Sequence, residues 1–169
     1  MMQAAQRSQQ LWAYGADEVL AVPLAELDQR DELLYPLALA QLAQAYQPFI
    51  FLIGGTAFGR SIAPRIASRL ETGLTADCTR LEIDAQSGLL HQTRPAFGGN
   101  LMATILCRNR RPQMATVRPH VMQPIVPDFS RRGSLTLADV HLPDNHLIQQ
   151  LALSLTTSET LSLESAEVV

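Results

Sequence analysis

The chain has 169 residues, 47% of them hydrophobic and 17% charged, and carries a net charge of -3 at neutral pH. It is long and apolar enough to bury one core, too apolar for a disordered chain, and of the wrong sign for a general pull toward nucleic acid or anionic membrane. All 13 basic residues are arginine, which excludes Schiff-base chemistry and the lysine of the usual phosphate loop but leaves planar recognition of anions open.

In chain order, Gln3 to Tyr14 reads as a short helix stopped by Gly15. Glu18 to Val22 reads as a strand ended by Pro23. A second helix carries Tyr35, Leu39, Leu42 and Tyr46 at helical spacing, with Pro36 confined to its first turn. Phe49 to Ile53, between Pro48 and Gly54-Gly55, has the continuous apolar pattern of a fully buried parallel strand. The helix after it places Ile62, Ile66 and Leu70 on one face, and Ser61 as its cap would put Pro64 in the first turn and Arg60 ahead of the helix. Strand, helix, strand, helix argues for an α/β layer with right-handed crossovers.

The second half changes character. Leu81 and Ile83 alternate with polar residues, Gln86-Ser87-Gly88 turns the chain, and Leu89 to Arg94 returns. Leu101 to Cys107 and Pro112 to Val117 read as a second hairpin joined across Asn109, so the expectation is a mostly parallel sheet flanked by helices, with added antiparallel hairpins. Residues 118 to 133 hold Pro119, Pro124 and Pro127 and read as an extended connection. Ser134 to Leu142 and Leu147 to Thr156 are β-like, and the latter also fits a helix by periodicity. A division follows into an α/β domain over 1–133 and a β-rich extension over 134–169.

Few residues gather into recognisable chemistry. Gly54 to Ser61 has phosphate-loop spacing except that Arg60 stands in the lysine position, which makes Gly55, Thr56, Gly59 and Arg60 weak candidates for holding a nucleotide against a plain structural turn. The structural turn is the favoured reading, and a small nucleotide-binding α/β protein is the rival. Gln92 to Asn100 contains Phe97-Gly98-Gly99, which implies a tight backbone and either a strand connection or a contact loop in which Arg94 and Asn100 face a partner. Arg108, Arg110 and Arg111 read as a solvated hairpin tip, and without interleaved aromatic residues nucleic-acid binding is not expected. The four histidines lack metal spacing, and Cys78 and Cys107 read as reduced, buried thiols. With no run of about 18 apolar residues and no apolar leader in Met1 to Gln10, a cytoplasmic protein without membrane insertion is expected.

Five stretches, in order, say more. They are Ala13-Tyr14-Gly15-Ala16-Asp17, Gly59 to Leu70, Thr72 to Cys78, Thr93-Arg94-Pro95-Ala96-Phe97-Gly98-Gly99-Asn100, and Arg111 to Pro119. Over residues 12 to 120 the chain resembles the alpha subunit of electron transfer flavoproteins. That resemblance implies a first domain with an adenine-nucleotide-hydrolase-like three-layer α/β fold. It implies a heterodimer that takes electrons from dehydrogenases, often of acyl-CoA type, and passes them on through FAD held in a second domain. It also implies a beta subunit as partner and no cofactor in the loop at Gly54 to Ser61. In the family a strand, a helix and a strand precede the region like Ala13 to Asp17, and the FAD domain follows a stretch like Glu164 to Val169. The expectation is therefore a domain short of its first strands, with an open sheet edge and no FAD-binding residue to carry over. Its role would be scaffold and subunit pairing without catalytic residues, with docking assigned to Arg94, Phe97, Gly98, Gly99, Asn100, Gln113 and Arg118.

Overall fold

A computed structural model describes residues 2–22 and 32–142. The strand or helix expected at Leu147 to Thr156 and the rest of the C-terminal extension lie outside the described residues. Helix α1 (Met2–Ala13) leads into strand β1 (Glu18–Ala21), then α2 (Leu34–Tyr46), β2 (Ile50–Gly54), α3 (Ala57–Arg69) and β3 (Leu74–Cys78). Strands β4 (Arg80–Ile83), β5 (Leu90–Ala96), β6 (Leu101–Ile105), β7 (Gln113–Val117) and β8 (Ser134–Leu137) complete the order. The fold is α/β, with parallel sheets flanked by helices and a separate antiparallel sheet.

The main parallel sheet runs β2-β7-β3. Met114, Ile62, Ile66 and Ala67 form the core between it and α3, and Leu39, Phe51, Ile53, Phe58, Leu70 and Leu74 close around them. The tight face of α2 is small: Pro36, Ala40 and Ala43 are buried, while Tyr46, expected on the apolar stripe, is about half exposed. Small residues let α2 approach α3, and the Tyr35 ring meets Phe58 edge-on at 5.3 Å.

Three expectations are corrected here. The fully buried parallel strand is β7, flanked on both sides; β2 has one paired edge, and Phe49 and Leu52 nearby are about half exposed. The second hairpin does not form. Strand β6 pairs with β5, giving the antiparallel meander β4-β5-β6, and the chain then crosses to place β7 in the parallel sheet. Lastly, α3 starts at Ala57, five residues earlier than a Ser61 cap implies. The Thr56 hydroxyl accepts from Gly59 N–H at 3.1 Å, so Arg60 is inside the helix and Pro64 is in its interior, on an exposed face.

The remaining elements form a second parallel pair. Strand β8 hydrogen-bonds β1 in register from Glu18↔Ser134 to Ala21↔Leu137, so the first strand beyond the proline-rich connection joins the same body as β1. Helix α1 ends at Gly15, which takes a left-handed φ of 99° and donates to Trp12 O at 2.9 Å. Asp128 N–H donates to Ala13 O, and Ser134 N–H to Asp17 O, both at 2.9 Å, tying the connection to the helix end.

Glycine spacing in the β2–α3 turn follows from close packing. A Cβ on Gly59 would lie 1.9 Å from the Gly54 carbonyl oxygen, whereas one on Gly54 meets nothing within 4 Å. Gly59→Ala should therefore cost more than about 3 kcal/mol in urea unfolding, and Gly54→Ala less than about 1 kcal/mol. Equal stability of the two variants would refute the packing of α3 on the end of β2.

Candidate functional site: the C-terminal edge of the parallel strands

Because β2, β7 and β3 are parallel, their C-terminal ends, at Gly54, Val117 and Cys78, lie side by side. This edge of an open α/β sheet is where such folds place their ligands. Here it is occupied by the chain's own charged groups.

The register between β3 and β7 shifts between Thr75 and Cys78, and Asp77 takes a left-handed φ of 65° within that bulge. Its N–H donates to Thr116 Oγ1 at 2.8 Å instead of to the ladder. The carboxylate is thereby turned toward Arg118, the residue following β7. Arg118 grips it with both arms, Nε at 3.1 Å from Oδ1 and Nη2 closer still to Oδ2. From α3, Arg60 adds Nη2 at 3.2 Å from Oδ1 and spends its Nε on Gly55 O at 2.9 Å. The Arg118 hydrogen bonds, aided by the charges of Arg118, Arg60 and Arg94, hold the Asp77 carboxyl below its ordinary value. Burial pushes the neighbouring Cys78 thiol up, so this enclosed sulfur stays protonated. Cys107, expected to be buried as well, is only partly so.

The phosphate-loop lookalike is arranged otherwise than its spacing suggests. Gly55 N–H donates to Val117 O at 2.7 Å and Gly59 N–H to the Thr56 hydroxyl, so two amides that would grip a phosphate are committed within the chain. The space above Gly59 is filled by the Gly54 carbonyl. The Gly55 and Gly59 amides are thus engaged within the chain, as in a structural turn. Among the described residues no three His, Cys, Asp or Glu side chains converge on a metal site. No helix among them is long and apolar enough to cross a membrane.

The docking residues read from the sequence separate into three groups. Arg94, half-buried on β5, lies close enough for its charge to act on Asp77 and Cys78, and Arg118 is in the cluster itself. Phe97, Gly98 and Gly99 make a single 3-10 turn between β5 and β6, with Asn100 as its C-cap. Three consecutive residues there have positive φ (50°, 70° and 96°), and the Phe97 ring is 82% exposed. Gln113 is corrected: its side chain is wholly enclosed, and its Oε1 accepts from Leu90 N–H at 2.9 Å, so it braces the two sheets and cannot reach a partner. Arg111 is exposed, as expected of a solvated tip, but is also anchored to the chain. Its guanidinium sits 4.3 Å from the Phe49 ring centroid and donates to loop carbonyls at Cys107 and Arg110.

Asp77 was not singled out from the sequence as a site residue, and Thr56 only as a weak nucleotide contact rather than as the helix cap. The available signal was Asp77 as the one carboxylate between Thr72 and Leu81, next to a strand end.

Because the folded Asp77 carboxyl is depressed below 3.8, its contribution to stability is present above about pH 4 and is lost as pH falls through the folded value. Asp77→Asn, which tolerates the left-handed backbone, should flatten that part of the acid-side loss of stability. Chemical denaturation of both proteins between pH 2 and pH 6, with parallel profiles, would refute the ion pair.

The family model for the electron transfer flavoprotein domain matches residues 2–144. The chain is 45% identical to the electron transfer flavoprotein subunit alpha of Thermoanaerobacterium thermosaccharolyticum over 163 residues, covering 96% of this chain and 49% of that protein. It is 52% identical to Protein FixB of Bradyrhizobium diazoefficiens over 112 residues, 66% of this chain and 30% of the relative. It is 34% identical over 187 positions to the acryloyl-CoA reductase electron transfer subunit beta of Anaerotignum propionicum, covering 96% and 51%. The chain thus spans about half the length, or less, of the curated relatives it matches. On the family match and these identities, the chain belongs to the electron transfer flavoprotein family, on the side of its alpha subunits and FixB proteins.

Proposed function

We propose that this chain is the scaffold and subunit-pairing domain of an alpha-type electron transfer flavoprotein subunit. In this reading the assembled protein carries electrons from dehydrogenases of acyl-CoA type to a downstream acceptor through FAD. The FAD is held outside the residues described here, with residues 134 onward leading toward it, and the protein works in the cytoplasm. The chain itself contributes surface and rigidity, with no catalytic residue. Its partner is a beta-type subunit of the same family.

The observation that carries pairing is the Phe97 turn. A phenylalanine in left-handed backbone is strained, and a ring 82% exposed finds little packing among the described residues to offset that strain. Strain combined with an exposed aromatic is the form of an interface anchor. Nearby on β6, Leu101 and Met102 are each 59% exposed, which extends the apolar surface beyond the turn. Arg94 joins the parallel sheet's edge to this turn through β5.

Co-purification with the beta-type subunit from the same source, followed by an absorption spectrum, tests the proposal. Stable pairing without flavin absorbance is expected. No pairing, together with a nucleotide or flavin bound to the isolated chain, would overturn it. Within the pair, Phe97→Ala should weaken association by about 1–3 kcal/mol and Arg94→Ala by about 1 kcal/mol, read by calorimetry. Unchanged affinity in both variants would remove this surface from the interface.

A further inference from the structure

The charges at the strand ends are one-sided. Arg60, Arg94 and Arg118 surround one carboxylate, that of Asp77. Arg60 lies only four residues after the Thr56 cap, near the helix end where free backbone N–H groups already carry partial positive charge. That first turn contains no acidic side chain to offset it. A basic group is better placed at the other end of a helix, and proteins keep such local violations mainly where they serve a function. The sequence supplies no acidic residue between Asp84 and Asp128, so Arg94 on β5 and Arg118 just after β7 reach this region with no carboxylate on β5, β6 or β7.

The cluster is also open. The Arg60 side chain is 56% exposed and that of Arg118 40%, against 24% for Asp77. Arg60 Nη1 makes no hydrogen bond among the described residues, and its Nη2 contact to Asp77 is the longest of the three arginine–carboxylate contacts. An exposed, half-engaged fork on an unenclosed edge does not make a small-molecule pocket, which would bury most of its ligand. The committed amides of Gly55 and Gly59 weigh against phosphate in the same way. What the edge can offer is a charge-assisted, planar seat for a carboxylate on an open surface, with Arg94 on the same strand that leads into the exposed Phe97 turn.

We infer that Arg60, with Arg94 and Arg118 behind it, receives an aspartate or glutamate side chain of the pairing subunit, in competition with Asp77. This rests on the pairing reading above. Arg60 is then the outward specificity contact, and Asp77 is an internal stand-in that holds the arginines in place before docking. The arrangement makes opposite forecasts for the two partners of one ion pair. Removing Arg60 weakens docking, whereas neutralising Asp77 strengthens it, because the incoming carboxylate no longer competes.

Association with the beta-type subunit is measured by calorimetry at low and high ionic strength for wild type, Arg60→Gln, Arg60→Lys and Asp77→Asn. Arg60→Gln is expected to weaken pairing about fivefold at low salt and far less at high salt, as for a partly exposed ion pair. Arg60→Lys restores most of the loss, and Asp77→Asn tightens pairing about threefold. Thermal melts of each variant establish that it is folded. Absence of wild-type pairing overturns the parent reading and this assignment with it. Normal wild-type pairing with an unaffected Arg60→Gln, or a weakened Asp77→Asn, overturns this assignment alone. A saturable rise in melting temperature with inorganic phosphate or AMP, lost in Arg60→Gln, also overturns it and gives the cluster to a small anion.

Discussion

Strand β7 has a hydrogen-bonded neighbour on each side and a helix over one face, yet its sequence carries Gln113 and Thr116 in that enclosed position. Leaving either polar group unpaired there would cost about 1–3 kcal/mol. Gln113 Oε1 and Thr116 Oγ1 each accept a backbone N–H, whereas the buried Gln113 Nε2 has no partner among the described residues, and the two bonds made shape the surroundings. Gln113 takes the Leu90 amide, which sets where β5 begins and braces the antiparallel meander on the parallel sheet. Thr116 takes the Asp77 amide, which frees that residue from the ladder and lets its carboxylate turn to Arg118 and Arg60. The charged cluster is thus a consequence of the partner that Thr116 takes on a central strand.

The same strand explains where the sequence was readable and where it was not. Helix α1 with its glycine stop, strand β1, helix α2 and the β4–β5 turn are local matters of periodicity and turn chemistry, and each stands close to where the letters put it. Strand β7 is not local. Gln113-Met114-Ala115-Thr116-Val117 reads as a half-polar hairpin arm, because its burial depends on partners 23 and 39 positions away. Taking Gln113 for a surface residue was the price of judging polarity without knowing those partners. The start of α3 was misplaced for a different reason. Pro64 was assumed to need a first turn, but an exposed interior position accommodates it, and Thr56 provides the cap.

The glycines after β2 show how one spacing can answer two demands. A phosphate loop needs glycines so that backbone can approach a ligand, and this turn needs them so that backbone can approach backbone. Gly55 packs on the Val117 carbonyl and Gly59 on the Gly54 carbonyl, 2.8 and 1.9 Å from where a Cβ would sit. The distinction between these demands lies in where the amide hydrogens go, which no spacing pattern encodes.

The pairing of β1 with β8 joins residue 18 to residue 134 and residue 21 to residue 137. Parallel partners so distant have a high loop-closure entropy to overcome before any contact rewards them. During synthesis β1 leaves the ribosome early and must wait for more than a hundred further residues before its partner strand exists. Over that interval the edge that β8 will occupy is open to other chains, while α1 packs against β1. The main sheet closes sooner, once β7 has emerged, so the order of translation makes the Glu18–Ala21 strand the last part of the described fold to be secured.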